Sequence, residues 1–184
     1  MQRMSGLLVG AVFGAVFVVV NAQEPLGGAV AAVLRVLAGL AAASVVAMWF
    51  VAVRRERPVR EQGPGMFGKG YLVVVAAEAV LLFGGLRVLA AWGVPTQANV
   101  AWVAFVVGVH FVALAPIWKD WAIAVPGAVL TVLGVAGLVM AATAGLAWVP
   151  FVSGVLSGAV LLAGSVTFGW RAIRSAPAGV PVRA

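Results

Sequence analysis

Tyr71–Trp92, YLVVVAAEAVLLFGGLRVLAAW, is the stretch whose reading decides the fold. It holds only two charged side chains, Glu78 and Arg87. As a helix rising 1.5 Å per residue it covers about 33 Å, enough to cross a bilayer core of about 30 Å. Length and apolarity together predict a membrane-spanning helix. The rest of the chain repeats the pattern. Of its 184 residues 64% are hydrophobic and 9% are charged, against about 45–50% and about 25% in soluble domains. A water-soluble fold of this size could not hide so much apolar surface.

Six spans are predicted, at about 5–20, 28–53, 71–92, 98–118, 121–144 and 149–171. Turn formers separate them, in QEPLGG, RRERPVREQGPGMFGKG, WGVPTQAN, WKD and AGLAWVP. The expected fold class is all-α, a polytopic membrane helical bundle forming one integral domain, with residues 172–184 as a flexible tail. Lysine and arginine set its orientation. Arg3, Arg54, Arg55, Arg57, Arg60, Lys69, Lys119, Arg171, Arg174 and Arg183 all fall on one side. The opposite loops carry one charge, Glu24. Both termini are therefore expected in the cytoplasm, and the expected location is the bacterial inner membrane. Trp92, Trp118, Trp121, Trp148 and Trp170 lie at span ends, where indole prefers the interface.

The N-terminus has a rival reading. MQRM, an apolar run and VNA resemble a signal peptide cleaved after Ala22, which would leave five spans. The six-span reading rests on Gly6, Gly10 and Gly14, a GxxxGxxxG groove for close helix approach. Ser153 and Ser157 with Gly154 and Gly158 make a second small-residue face. A nucleophilic serine would need a base and a third group that this segment lacks. The three-helix halves 1–92 and 98–171 have the parity of an inverted repeat, but their sequences do not align.

Charge and motif exclude several classes. The net charge of +7 flanks the spans, so it argues for topology and lipid contact rather than nucleic acid. Arg54, Arg55, Arg57 and Arg60 are positioned to meet anionic headgroups. The chain has no cysteine and one histidine, which leaves no closed zinc site and no expected cofactor. Gly63–Gly68, GPGMFG, matches GxGxxG, but a basic loop precedes it where dinucleotide binding needs a strand. Pro116 and Pro126 sit near span ends, where proline costs little.

Four ionisable residues fall inside spans: Arg35, Glu78, Arg87 and His110. Such residues usually face the bundle interior and pair. Glu78 and His110 are each about 10–12 Å from the basic end of consecutive helices. A short loop makes those helices antiparallel neighbours, so the two side chains are expected to meet, with Tyr71 below them. An outer polar layer is expected from Arg35, Arg87, Glu24, Asn21 and Gln97. Glu78 and Arg87 are nine residues apart, about 180° around a helix, so they point to opposite faces. Two readings of the inner pair stand side by side. Imidazole titrates near neutrality, which suits a proton-sensitive transport site. A single polar contact also suits an interhelical lock.

Val107, Gly108, His110, Phe111, Leu114 and Ala115 resemble a VGxHFxPLA motif of small, uncharacterised multi-pass bacterial membrane proteins. The pattern's proline falls at Ala113; this chain has Pro116 instead. The resemblance implies six helices and groups Gly108 with His110. It implies no activity. Two kinds of function remain: a small transporter or channel-like bundle, or a non-catalytic accessory, scaffold or stress-response protein. Membrane lipids, a second copy and a partner subunit are the expected associations.

Overall fold

Small side chains set how closely these helices approach. In the computed structural model, which describes residues 2–55 and 68–175, six helices run in order. They are α1 (Gln2–Asn21), α2 (Gly28–Arg55), α3 (Lys69–Ala91), α4 (Ala98–Trp118), α5 (Ala124–Ala141) and α6 (Leu156–Ser175). A 3₁₀ turn at Trp121–Ile123 leads into α5. Another at Leu146–Trp148, then a π-helical segment at Pro150–Val155, leads into α6. The described residues contain no strand.

Among the described residues five segments are long and apolar enough to cross a membrane: Gly28–Arg54, Lys69–Ala91, Ala98–Trp118, Trp121–Ala141 and Leu146–Arg174. The apolar part of α1, Ser5–Asn21, is shorter than these and coincides with the first expected span, 5–20. It ends at Asn21, before the turn through Leu26. The fifth expected span, 121–144, is broken at its start by the 3₁₀ turn and stops at Ala141. At the other end α6 continues to Ser175, so the stretch expected to be tail from residue 172 begins as helix.

The helices form two groups. α1 packs on α6 and α2, and α2 also touches α6; α4 packs on α5 and, less extensively, on α3. The π-helical segment joins the groups by touching α1, α4 and α5. The grouping α1–α2–α6 with α3–α4–α5 cuts across the consecutive halves 1–92 and 98–171.

Glycine carries the closest approaches. A Cβ on Gly14 would lie 2.8 Å from the Gly158 carbonyl oxygen, and one on Gly10 would lie 3.0 Å from Ser165 Oγ. Between α4 and α5, a Cβ on Gly127 would sit 2.9 Å from the Gly108 carbonyl oxygen. Gly134 admits the Phe105 backbone, and Gly137 admits the Ser153 hydroxyl. Such contacts let backbones approach where lipid supplies no hydrophobic drive for association. Many of the fully buried residues are correspondingly small: Ala11, Ala22, Ala98, Ala101, Ala104 and Ala115 are at 0% exposure, beside the larger Val45, Leu130 and Val149.

Gly6 departs from the expected groove. Among the described residues nothing lies within 4 Å of its Cβ position. Of the three glycines, Gly10 and Gly14 face α6. Gly154 fits the packing reading, because Asn21 of α1 occupies the space a side chain there would need. α3 is the outlier of the bundle. It contains no buried residue, and α4 is its principal neighbour.

Candidate functional site

Three contacts along the α3–α4 seam fix its antiparallel register. Tyr71 stacks on Trp118, with ring centroids 6.0 Å apart and planes at 18°. Gly70 faces Ile117, whose Cγ2 lies 3.5 Å from the added Cβ position. Near the far end the Trp102 indole covers Gly85 and its Nε1 donates to the Leu81 carbonyl oxygen at 3.1 Å.

Between these contacts Glu78 meets His110. Glu78 Oε2 lies 3.0 Å from His110 Nδ1, with the side chains 24% and 12% exposed. The distance is that of an ion pair. Nδ1 nevertheless makes no well-formed hydrogen bond. From the ends of α3 and α4 nearest the basic loops, the pair is roughly 12–14 Å deep.

The pair opens on a groove of about 140 Å³. Val73, Ala77, Leu81, Val106 and Val109 supply its apolar walls. Glu78 and His110 are its two ionisable lining groups. His110 is also edge-on to Phe111, at 5.7 Å between centroids. The arrangement is one polar contact in an apolar furrow between two helices. Among the described residues no group of three or more His, Cys, Asp or Glu side chains gathers to hold a metal ion.

Two members of the expected inner site lie elsewhere. Gly108 is two residues from His110, about 200° around α4. It faces α5, where Thr131 and the Gly127 carbonyl oxygen occupy the space its Cβ would fill. It thus serves the α4–α5 contact and not the imidazole. Tyr71 sits two turns below Glu78, paired with Trp118, and does not line the groove.

The expected outer polar layer does not assemble. Arg35 reaches from α2 to the end of α1, where Nε donates to the Val19 carbonyl oxygen at 3.2 Å and Nη2 to that of Ala22 at 2.7 Å. Those carbonyls belong to the orphan acceptors of a helix C-terminus. A cation there also meets the negative end of the helix dipole. The Asn21 side-chain amide donates to the Phe17 carbonyl oxygen at 2.8 Å, within its own helix. Glu24, Arg87 and Gln97 are exposed, and no contact links any of them to Arg35. Arg87 is on α3, in the other helix group.

Sequence reasoning passed over the Arg35 cap, and it read Ser153 and Ser157 as small packing residues without their hydroxyls' surroundings. Ser153 Oγ donates to the Leu133 carbonyl oxygen at 2.8 Å across the α5–α6 junction. Ser157 is fully buried and its hydroxyl lacks a hydrogen-bond partner. The rise in polarity where α6 begins was the available signal for both. Of the headgroup arginines, Arg54 is exposed at the end of α2 and Arg55 closes that helix. Arg57, Arg60 and the GPGMFG segment up to Phe67 lie outside the described residues. No family model, curated protein or solved structure matches the chain.

Proposed function

We propose that the chain is a non-catalytic multi-pass membrane protein of the accessory or scaffold kind, in which the Glu78–His110 contact locks α3 onto α4. The observation that supports this reading is the position of the pair. It lies on the seam that α3, a helix without buried residues, shares with its principal neighbour. Interhelical polar contacts in membranes are worth about 0.6 kcal/mol on average, and up to about 1.7. That is enough to bias a helix that buries so little. We further propose that the membrane is the bacterial inner membrane, with both termini cytoplasmic and the basic loops against anionic lipid.

The test is a double-mutant cycle on Glu78→Gln and His110→Ala, read by thermal unfolding in detergent. A coupling of about 0.6–1.7 kcal/mol is the expected outcome. Additive effects near zero would sink the lock.

A second reading, a small proton-sensitive transporter or channel, draws on one observation: Glu78 is 24% exposed and opens on a groove. It expects pH-dependent flux in liposomes that both substitutions abolish while the bundle stays folded. Flux that is absent from the wild-type protein removes it.

A further inference from the structure

The stretch that resembles a signal-peptide cleavage site has a defined structure. Such a site needs small side chains before the scissile bond. Val20, Asn21 and Ala22 supply the pattern, and the bond is Ala22–Gln23. An extended peptide is recognised through its main-chain hydrogen bonds. Cleavage therefore needs these residues extended, with their backbone groups free.

Neither condition holds. α1 stays helical through Val20 and Asn21. The Ala22 N–H donates to the Val18 carbonyl oxygen at 2.9 Å, and the Gln23 N–H donates to that of Asn21 at 2.9 Å. The Gln23 carbonyl oxygen accepts from the Leu26 N–H at 3.0 Å. The Ala22 carbonyl oxygen, which belongs to the scissile bond, accepts from Arg35 Nη2 at 2.7 Å. Hydrolysis requires that oxygen to move onto the protease's own donors as charge builds on it. Arg35 holds it in place, braced by a second contact from Nε to the Val19 carbonyl oxygen. The Ala22 side chain, which a protease must pocket, is 0% exposed and packs in a cluster with Val18 and Ala31. Gln23, Glu24 and Pro25 are exposed, so the turn itself is open to a protease. Only the acyl side of the bond is closed.

We infer that Ala22–Gln23 is a concealed processing site, which Arg35 on α2 keeps from signal peptidase by clamping the scissile carbonyl. With the clamp released, water adds across the bond. Its oxygen joins the Ala22 carbonyl carbon, the C–N bond breaks and a proton passes to the Gln23 nitrogen. α1 is then cut from the bundle. The clamp makes retention of α1 depend on the arrival of α2, whose Arg35 follows Ala22 by 13 residues. This rests on the proposed orientation, which sets the turn on the non-cytoplasmic face. It is independent of both readings of Glu78–His110.

The test is a short pulse of labelling in cells, before degradation sets in, with the N-terminus of the full chain read by intact mass. The wild-type chain should keep residues 1–22. Arg35→Ala should raise the share of chains beginning at Gln23 by about tenfold or more. Adding Ala22→Leu, which spoils the small residue before the bond, should restore the uncut chain. Wild-type chains that begin at Gln23 would overturn the concealment. Cutting that persists in the double variant would overturn the assignment of the site. A cysteine at Glu24 reads the orientation separately. With Glu24 outside, an uncut Arg35→Ala chain counts against the clamp alone; with Glu24 inside, clamp and orientation both fall.

Discussion

Ser153 and Ser157 lie one turn apart, and both are fully buried, yet their hydroxyls are in opposite situations. Ser153 satisfies its donor on the Leu133 carbonyl; Ser157 leaves its own without a partner. Desolvating a polar group without a partner costs about 1–3 kcal/mol. Ser157→Ala is therefore expected to leave stability unchanged or raise it, by up to about 1 kcal/mol. Ser153→Ala should lower it by about the same amount. Paired thermal melts in one detergent compare the two, and equal losses would refute the contrast. Lys119 offers a second test at this scale. It ends α4 in the left-handed region at φ 52°, and the Asp120 N–H reaches back to the Ala115 carbonyl oxygen at 3.0 Å. A side chain in that conformation costs about 1–2 kcal/mol that glycine avoids. Lys119→Gly should raise the unfolding temperature by a few degrees; a lower one would show that the lysine charge matters more than the strain.

At the scale of elements, packing depends on which face of a helix carries its small residues. Gly14 is pressed against Gly158, Leu161 and Leu162, while Gly6 on the same helix has open space around it. Gly14→Leu should drive α1 from α6 and cost several kcal/mol, whereas Gly6→Leu should be nearly silent. Yields of folded protein and melting temperatures of the two variants read the difference. This is also where the sequence stopped being informative. Spans were legible because a run of about 20 consecutive apolar residues matches the thickness of a bilayer core and little else. The Glu78–His110 contact was legible because the only in-span acid and the only histidine fall at one depth on adjacent helices. Rotation about the helix axis was not legible. α2 and α4 are apolar on every side, so no polar stripe told which face meets which neighbour. The VGxHFxPLA resemblance grouped Gly108 with the imidazole on its own helix, although it faces α5. The Arg35 cap was hidden for a related reason: it depends on how α2 crosses the end of α1, and no local pattern encodes that crossing.

At the scale of the whole molecule, the two helix groups meet chiefly at the π-helical segment and along the α5–α6 contact. Pro150 starts that segment without needing an N–H partner, and Ser153 and Gly154 seat it against α5 and α1. The antiparallel registers put Lys69, Lys119 and Arg174 at one end of the bundle, with Glu24, Trp92 and Trp148 at the other. The chain has no native cysteine, so single cysteines at Lys69 and Lys119 should react with an impermeant maleimide from one side of sealed vesicles. One at Glu24 should react from the opposite side. Labelling of all three from one side would break the threading.

The position of α6 in the chain has a consequence for how the bundle is made. Synthesis proceeds at about 5–20 residues per second. Gly14 emerges early and its partner Gly158 late, so on the order of ten seconds separates them. The α4–α5 hairpin, joined by a short turn, closes within a few seconds of its own synthesis. Throughout the longer interval the close-packing face of α1 must rest against lipid or against the helices of the insertion machinery. α6 is made after the other five described helices, and with the π-helical segment before it unites the two groups, so a nascent chain stalled before both would present the cell with two separate bundles in one membrane.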